Sequence, residues 1–98
     1  MDKIDKLKAD GYIVSSSINA ISYVVYNCNA HVKIVENEDG YRLFCIEDTV
    51  INRKYFNDYK EHYEDLNVSL MKYNNIIRML KNLCKNYCKR GVEYVEVV

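Results

Sequence analysis

The chain has 98 residues with 14 basic and 14 acidic side chains, a formal net charge of zero, 49% apolar residues, four cysteines, no proline and no tryptophan. That length builds one domain around one core, predicted over residues 1–98, and leaves little room for a deep substrate cavity. The apolar and charged fractions exclude an intrinsically disordered chain, and zero net charge excludes a uniformly cationic or anionic binder.

Residues 2–10 place Ile4 and Leu7 three apart among charges, with Gly11 as a stop, which predicts a short amphipathic helix. Runs rich in β-branched and aromatic residues follow at 12–17, 20–26, 31–36 and 41–47 and predict strands. Between the last two, Asn37-Glu38-Asp39-Gly40 ends in an Asp-Gly hairpin signal, and alternation of Val32 and Ile34 with Leu43 and Cys45 supports antiparallel pairing. Residues 16–28 also fit a helix capped by Ser17 with Ile18, Ile21, Val25 and Cys28 on one face, but Val24, Val25 and the tyrosines favour a strand.

After Asp48 the hydrophobic period changes from two to 3.6. Ile51, Tyr55, Tyr59, His62 and Tyr63 fall on one arc of a helix that Asp48 or Thr49 can cap. A break at residues 65–67 precedes a longer helix with Tyr73, Ile76, Ile77, Leu80, Leu83, Cys84 and Tyr87 on its apolar arc. The short link predicts antiparallel packing of the two. Gly91 ends the second helix, and residues 92–98 predict a terminal strand that adds to the sheet. The expected fold is α+β: a mostly antiparallel sheet with a short N-terminal helix, covered on one face by a C-terminal helical hairpin.

Lysine, asparagine, isoleucine and tyrosine number ten, eleven, nine and ten, a bias that points to an AT-rich genome of a low-GC bacterium, its phage or a eukaryotic virus. The N-terminus, Met1-Asp2-Lys3-Ile4-Asp5, lacks an apolar leader core, so the expectation is a cytoplasmic protein with reduced thiols. Residues 11–32 carry no formal charge over 22 positions, but Ser15, Ser16, Ser17, Asn19, Ser22, Asn27, Asn29 and His31 make a membrane span unfavourable. Interior strands are the expected explanation.

Charge is segregated along the chain. Residues 36–65 hold nine acids against four bases, whereas residues 68–90 hold six bases and no acid. Arg78, Lys81, Lys85 and Lys89 recur at helical spacing and form a stripe suited to phosphates or to an acidic protein. Glu36, Glu38, Asp39, Asp58, Glu61 and Asp65 make up the opposing acidic surface, and neutralisation of the basic stripe by Asp58, Glu61 and Asp65 on the neighbouring helix is the expected arrangement. Tyr55, Tyr59 and Tyr63 repeat every four residues and are expected mainly in the core, with part of the tyrosine surplus facing a partner. Cys28, His31, Cys84 and Cys88 lack the tight spacing of a zinc site, and Cys84 and Cys88, four apart on a helix, are poorly placed for a disulfide. His62 is expected inward, and the sequence contains no nucleophile elbow, phosphate loop or zinc helix. No catalytic residue, metal or cofactor is therefore expected.

In element order, length and composition, with Gly11-Tyr12-Ile13-Val14 after the first helix and an acidic-tipped hairpin over residues 32–46, the chain resembles the small phage-encoded anti-CRISPR proteins. The resemblance implies a non-enzymatic inhibitor that binds a host protein or ribonucleoprotein complex in the host cytosol. It transfers no binding residue, because the basic helix and terminal strand depart from the strongly acidic members of that shape. Nucleic-acid binding through the basic stripe is the alternative, followed by an antitoxin or a ligand-sequestering domain. Edge strands give self-association to a homodimer a route.

Overall fold

The computed structural model describes residues 3–36, 42–88 and 94–97. The elements are α1 (Lys3–Ala9), β1 (Tyr12–Ser15), α2 (Ile18–Cys28), β2 (Val32–Glu36), β3 (Arg42–Glu47), α3 (Val50–His62), α4 (Leu70–Cys88) and β4 (Tyr94–Val97). The strands form one antiparallel sheet in the order β1-β3-β2-β4, so the class is α+β as expected. The terminal strand joins the sheet beside β2. The Asn37 to Gly40 turn and Gly91 lie outside the described residues.

The first departure from expectation is α2. Residues 20–26, expected as a strand, are helical, and the ends decide it. Ser17 holds an extended backbone and its hydroxyl accepts from the Ala20 N–H at 3.2 Å. At the other end Asn29 takes the left-handed conformation (φ 51°) and its N–H donates to the Val25 carbonyl at 2.9 Å. Both ends therefore carry residues with the chemistry to close a helix, which outweighs the weak strand preference of Val24 and Val25.

Ala20 through Val25 are six consecutive buried residues, so every side of this helix is enclosed. A helix covered all round is a core element rather than an amphipathic surface one. Ile21 and Val24 are fully buried in a cluster with Ile13, Val32, Ile34, Phe44 and Ile46 from one face of the sheet and with Phe56, Leu80 and Cys84 from α3 and α4. The uncharged stretch of residues 11–32 is thus explained by one edge strand and a buried helix, not by interior strands alone. Among the described residues no helix is long and apolar enough to cross a membrane.

Both C-terminal helices use α2 as their main packing partner. Tyrosines make the joints: Tyr23 of α2 meets Tyr55 and Tyr59 of α3 at ring-centroid distances of 6.1 and 5.9 Å. Tyr26 meets Tyr73 of α4 at 6.4 Å and accepts from the Ser69 N–H at 2.9 Å, while the Tyr73 hydroxyl donates to the Asn19 carbonyl at 2.6 Å. Burial, reinforced by neighbouring Tyr59, pushes the Tyr73 hydroxyl up to about 12, so it remains a donor. Edge and tilted ring pairs of this kind add about 0.5–1.5 kcal/mol each beyond area burial.

The inward arc of α3 is rotated from the expected one. Asn52 and Phe56 are buried, Tyr55 and Tyr59 half-buried, and Ile51, His62 and Tyr63 exposed. The reason lies in Asn52, whose amide donates to the Glu47 carbonyl at 3.0 Å, and in Phe56, which only this rotation drives into the core. His62 is therefore a surface residue, 3.9 Å from Glu61.

The hairpin strands pair antiparallel as expected, with Val32 opposite Ile46 and Ile34 opposite Phe44. Leu43, Cys45 and Val35 consequently lie on the second face, where they too are buried. Burial pushes the Cys45 thiol up to about 11 against the opposing pull of Lys33, which leaves it unreactive at neutral pH.

Ser22 is fully buried and its hydroxyl finds no hydrogen-bond partner among the described residues. An unmatched buried hydroxyl costs about 1–3 kcal/mol. Ser22→Ala is expected to raise the urea unfolding midpoint, whereas Leu80→Ala, which empties a fully buried site, is expected to cost about 2–5 kcal/mol in the same measurement.

Candidate functional site

Strand β1 pairs with β3 on one side and forms the sheet edge on the other. The Asp48 N–H donates to the Gly11 carbonyl at 2.9 Å, so this is a hydrogen-bonded pair of the antiparallel ladder. In such a ladder bonded and non-bonded pairs alternate. The register Tyr12↔Glu47, Ile13↔Ile46, Val14↔Cys45 then turns the backbone groups of Ile13 toward β3 and those of Tyr12 and Val14 away from the sheet. Gly11 makes the entry to this strand possible, since its φ of 93° is a conformation that side chains resist.

Helix α3 is anchored on α2 through Tyr55 and Tyr59 and overhangs β1 at a distance. The space between is a cleft of about 710 Å³, lined along one wall by residues 12–17 and along the other by Arg53, Phe56, Tyr59, Lys60 and Tyr63, with Lys8, Ala20 and Asp48 completing it. Its floor is apolar at Ile13, Ala20 and Phe56, all buried, and its rim carries hydroxyls and cations. Such a mixture of apolar floor and a few polar groups suits recognition.

Among the described residues Asp48 is the sole carboxylate of the lining, and Arg53 forks it through Nε at 3.0 Å and Nη2 at 2.6 Å. The Arg53 hydrogen bond holds the Asp48 carboxyl below its ordinary value. Lys8 and Lys60 are exposed, and Lys60 Nζ sits 5.5 Å from the Phe56 ring centre. With Asp48 matched by Arg53, the rim is left cationic. Among the described residues no histidine or cysteine lines the cleft, and the Ser15 hydroxyl accepts from the Ser17 N–H at 3.0 Å.

The charged residues expected to bind lie elsewhere. Arg78, Lys81 and Lys85 are exposed on α4, while Lys89 lies outside the described residues. A shallow depression of about 630 Å³ runs along Asn75, Arg78, Met79, Asn82 and Leu83. Glu61 and Asp65 are exposed and Asp58 half-buried, whereas Glu38, Asp39 and the Glu36 side chain lie outside the described residues.

Among the described residues no ion pair joins the acidic stripe of α3 to the basic stripe of α4, contrary to the expected neutralisation; α3 pairs Arg53 with Asp48 instead. The facing sides of both helices are occupied by α2, which leaves the stripes to solvent. Cys28 is half-buried, His31 exposed and Cys84 buried, and no three metal-binding side chains converge among the described residues.

Lys8, Tyr12, Arg53 and Lys60 were not singled out by sequence. The available signal was the short β1 run without lysine, proline or acid, but it becomes meaningful only once the strand is known to be an edge. No protein-family model, curated protein or solved structure matches the chain.

The Asp48–Arg53 pair contributes stability above the ordinary carboxylate value of 3.8 and loses it as pH falls below that value, because the unfolded state then takes up a proton before the folded one does. Both side chains are more than a third exposed, so the effect at neutral pH lies within about 1 kcal/mol. Asp48→Asn is expected to leave the neutral unfolding midpoint nearly unchanged and to flatten its decline below pH 4 in an acid titration.

Proposed function

We propose that the chain is a small non-enzymatic protein-binding module whose contact surface is the cleft between β1 and α3. The observation that carries this is an open strand edge beside an apolar floor and a cationic rim, which among the described residues holds no histidine, cysteine or unmatched carboxylate. Tyr63, 60% exposed at the mouth, supplies the kind of amphipathic ring that protein interfaces favour. The narrower proposal is inhibition of a host defence complex in the host cytosol, motivated by the resemblance in size, composition and element order to anti-CRISPR proteins.

The test is to mix the protein with guide-loaded effector nucleases and follow co-elution and target cleavage. The native chain should co-elute and suppress cleavage, and Lys60→Glu combined with Tyr63→Ala should weaken both by about tenfold or more. Absence of any complex with these effectors would end the defence proposal.

Nucleic-acid binding is the second proposal, favoured by the exposure of Arg78, Lys81 and Lys85 on a helix without an acidic residue. It predicts an affinity whose logarithm falls linearly with the logarithm of salt concentration, with a slope reduced by Lys81→Glu and Lys85→Glu. Filter binding over a salt series measures the slope, and an unchanged slope removes α4 as the contact.

A further inference from the structure

We propose that the occupant of the cleft is an extended, acidic segment of a partner protein, added to β1 as a new edge strand. This rests on the protein-binding assignment above and names its ligand.

The backbone supplies the affinity. Tyr12 and Val14 turn their N–H and C=O groups away from β3, giving two donors and two acceptors at the spacing of a strand. Natural edges are usually guarded by lysine, proline, bulges or a covering element. The β1 segment Tyr-Ile-Val-Ser has none of the first two, its register with β3 runs without a bulge, and α3 stands off to leave a cleft rather than closing over it. Strand addition to such an edge is an established mode of peptide recognition, with pockets for alternate side chains giving specificity.

The charges select the ligand. Side chains of an incoming strand would enter a cleft where Phe56 and Tyr59 offer apolar surface and Lys8 and Lys60 carry positive charge. The Tyr12 ring is held in place there by the Lys33 ammonium, which donates to its hydroxyl. Since Arg53 neutralises Asp48, acidic side chains meet the Lys8 and Lys60 cations in the cleft and basic ones meet repulsion. A second copy of this chain is disfavoured by the same charges, because joining two β1 edges would bring Lys8 and Lys60 of both copies together.

The probe is a capped, fluorescein-labelled hexapeptide of alternating glutamate and valine, compared with the same peptide carrying lysine for glutamate, by fluorescence polarisation and amide hydrogen exchange. The glutamate peptide should bind about tenfold or more tightly than the lysine peptide. On binding, the Tyr12 and Val14 amides should become protected, whereas the Ile13 amide, already in the ladder, should be protected throughout. N-methylation of alternate amides in the peptide should abolish binding with the protein untouched, and Val14→Pro should do the same from the protein side. Lys8→Glu with Lys60→Glu should transfer the preference to the lysine peptide.

Absence of binding by both peptides, equal binding of both, or binding without protection of Tyr12 and Val14 would overturn strand addition. So would protection of those amides that rises with protein concentration in the absence of peptide, which would assign the edge to self-association. The broader protein-binding assignment is separable: a partner protein lost on Lys60→Glu and Tyr63→Ala but indifferent to Val14→Pro would retain the cleft as the contact and overturn the added strand.

Discussion

The enclosure of α2 is the constraint on which the other parts of the molecule depend. A helix whose residues 20–25 are all buried must have neighbours on every side, and the sheet, α3 and α4 are those neighbours. Its apolar groups meet Ile13, Phe44 and Ile46 on the sheet side, while its tyrosines meet the tyrosines of α3 and α4. Removing water from this much apolar surface stabilises the fold at about 25 cal/mol per Å². The Tyr26 and Tyr73 hydroxyls are hydrogen-bonded at the α2–α4 seam, so these rings pack there without stranding polar atoms.

The cleft follows from that arrangement. Because α3 is anchored through Tyr55 and Tyr59 on α2, it runs beside the sheet edge without closing onto it. Space therefore remains between β1 and the Arg53, Phe56, Lys60 face of α3. The rotation of α3 that buries Asn52 and Phe56 also turns Lys60 and Tyr63 to the mouth of the cleft and His62 to solvent. A packing requirement in the core thus sets the chemistry of the surface.

The electrical division of the chain acquires a different meaning in three dimensions. The stripes on α3 and α4 do not pair among the described residues, since both helices direct their facing sides at α2. Two cationic surfaces result, one at the rim of the cleft and one along α4, and they belong to separate functional proposals. Among the described acidic residues of the middle third, Glu61 and Asp65 face solvent and Asp48 pairs locally. Asp48, for example, serves to hold Arg53 rather than to attract a partner.

Much of the fold was legible from local chemistry. Thr49 as a cap, the apolar arc around Leu80, the alternation of β2 and β3, Gly11 as a helix stop and the valine-rich terminal strand each determined an element, because each signal lies within a few residues of the structure it specifies. The α2 segment was ambiguous because Val24 and Val25 fit a strand while Ser17 and Asn29 fit helix ends, and burial from three directions erased the polar face that would have distinguished them. Tertiary structure alone decided which strand became an edge, how α3 is turned, and that Lys8, Tyr12, Arg53 and Lys60 share one cleft. These are relations between segments far apart in the chain, fixed by how the core excludes water, and no local pattern of residues encodes them.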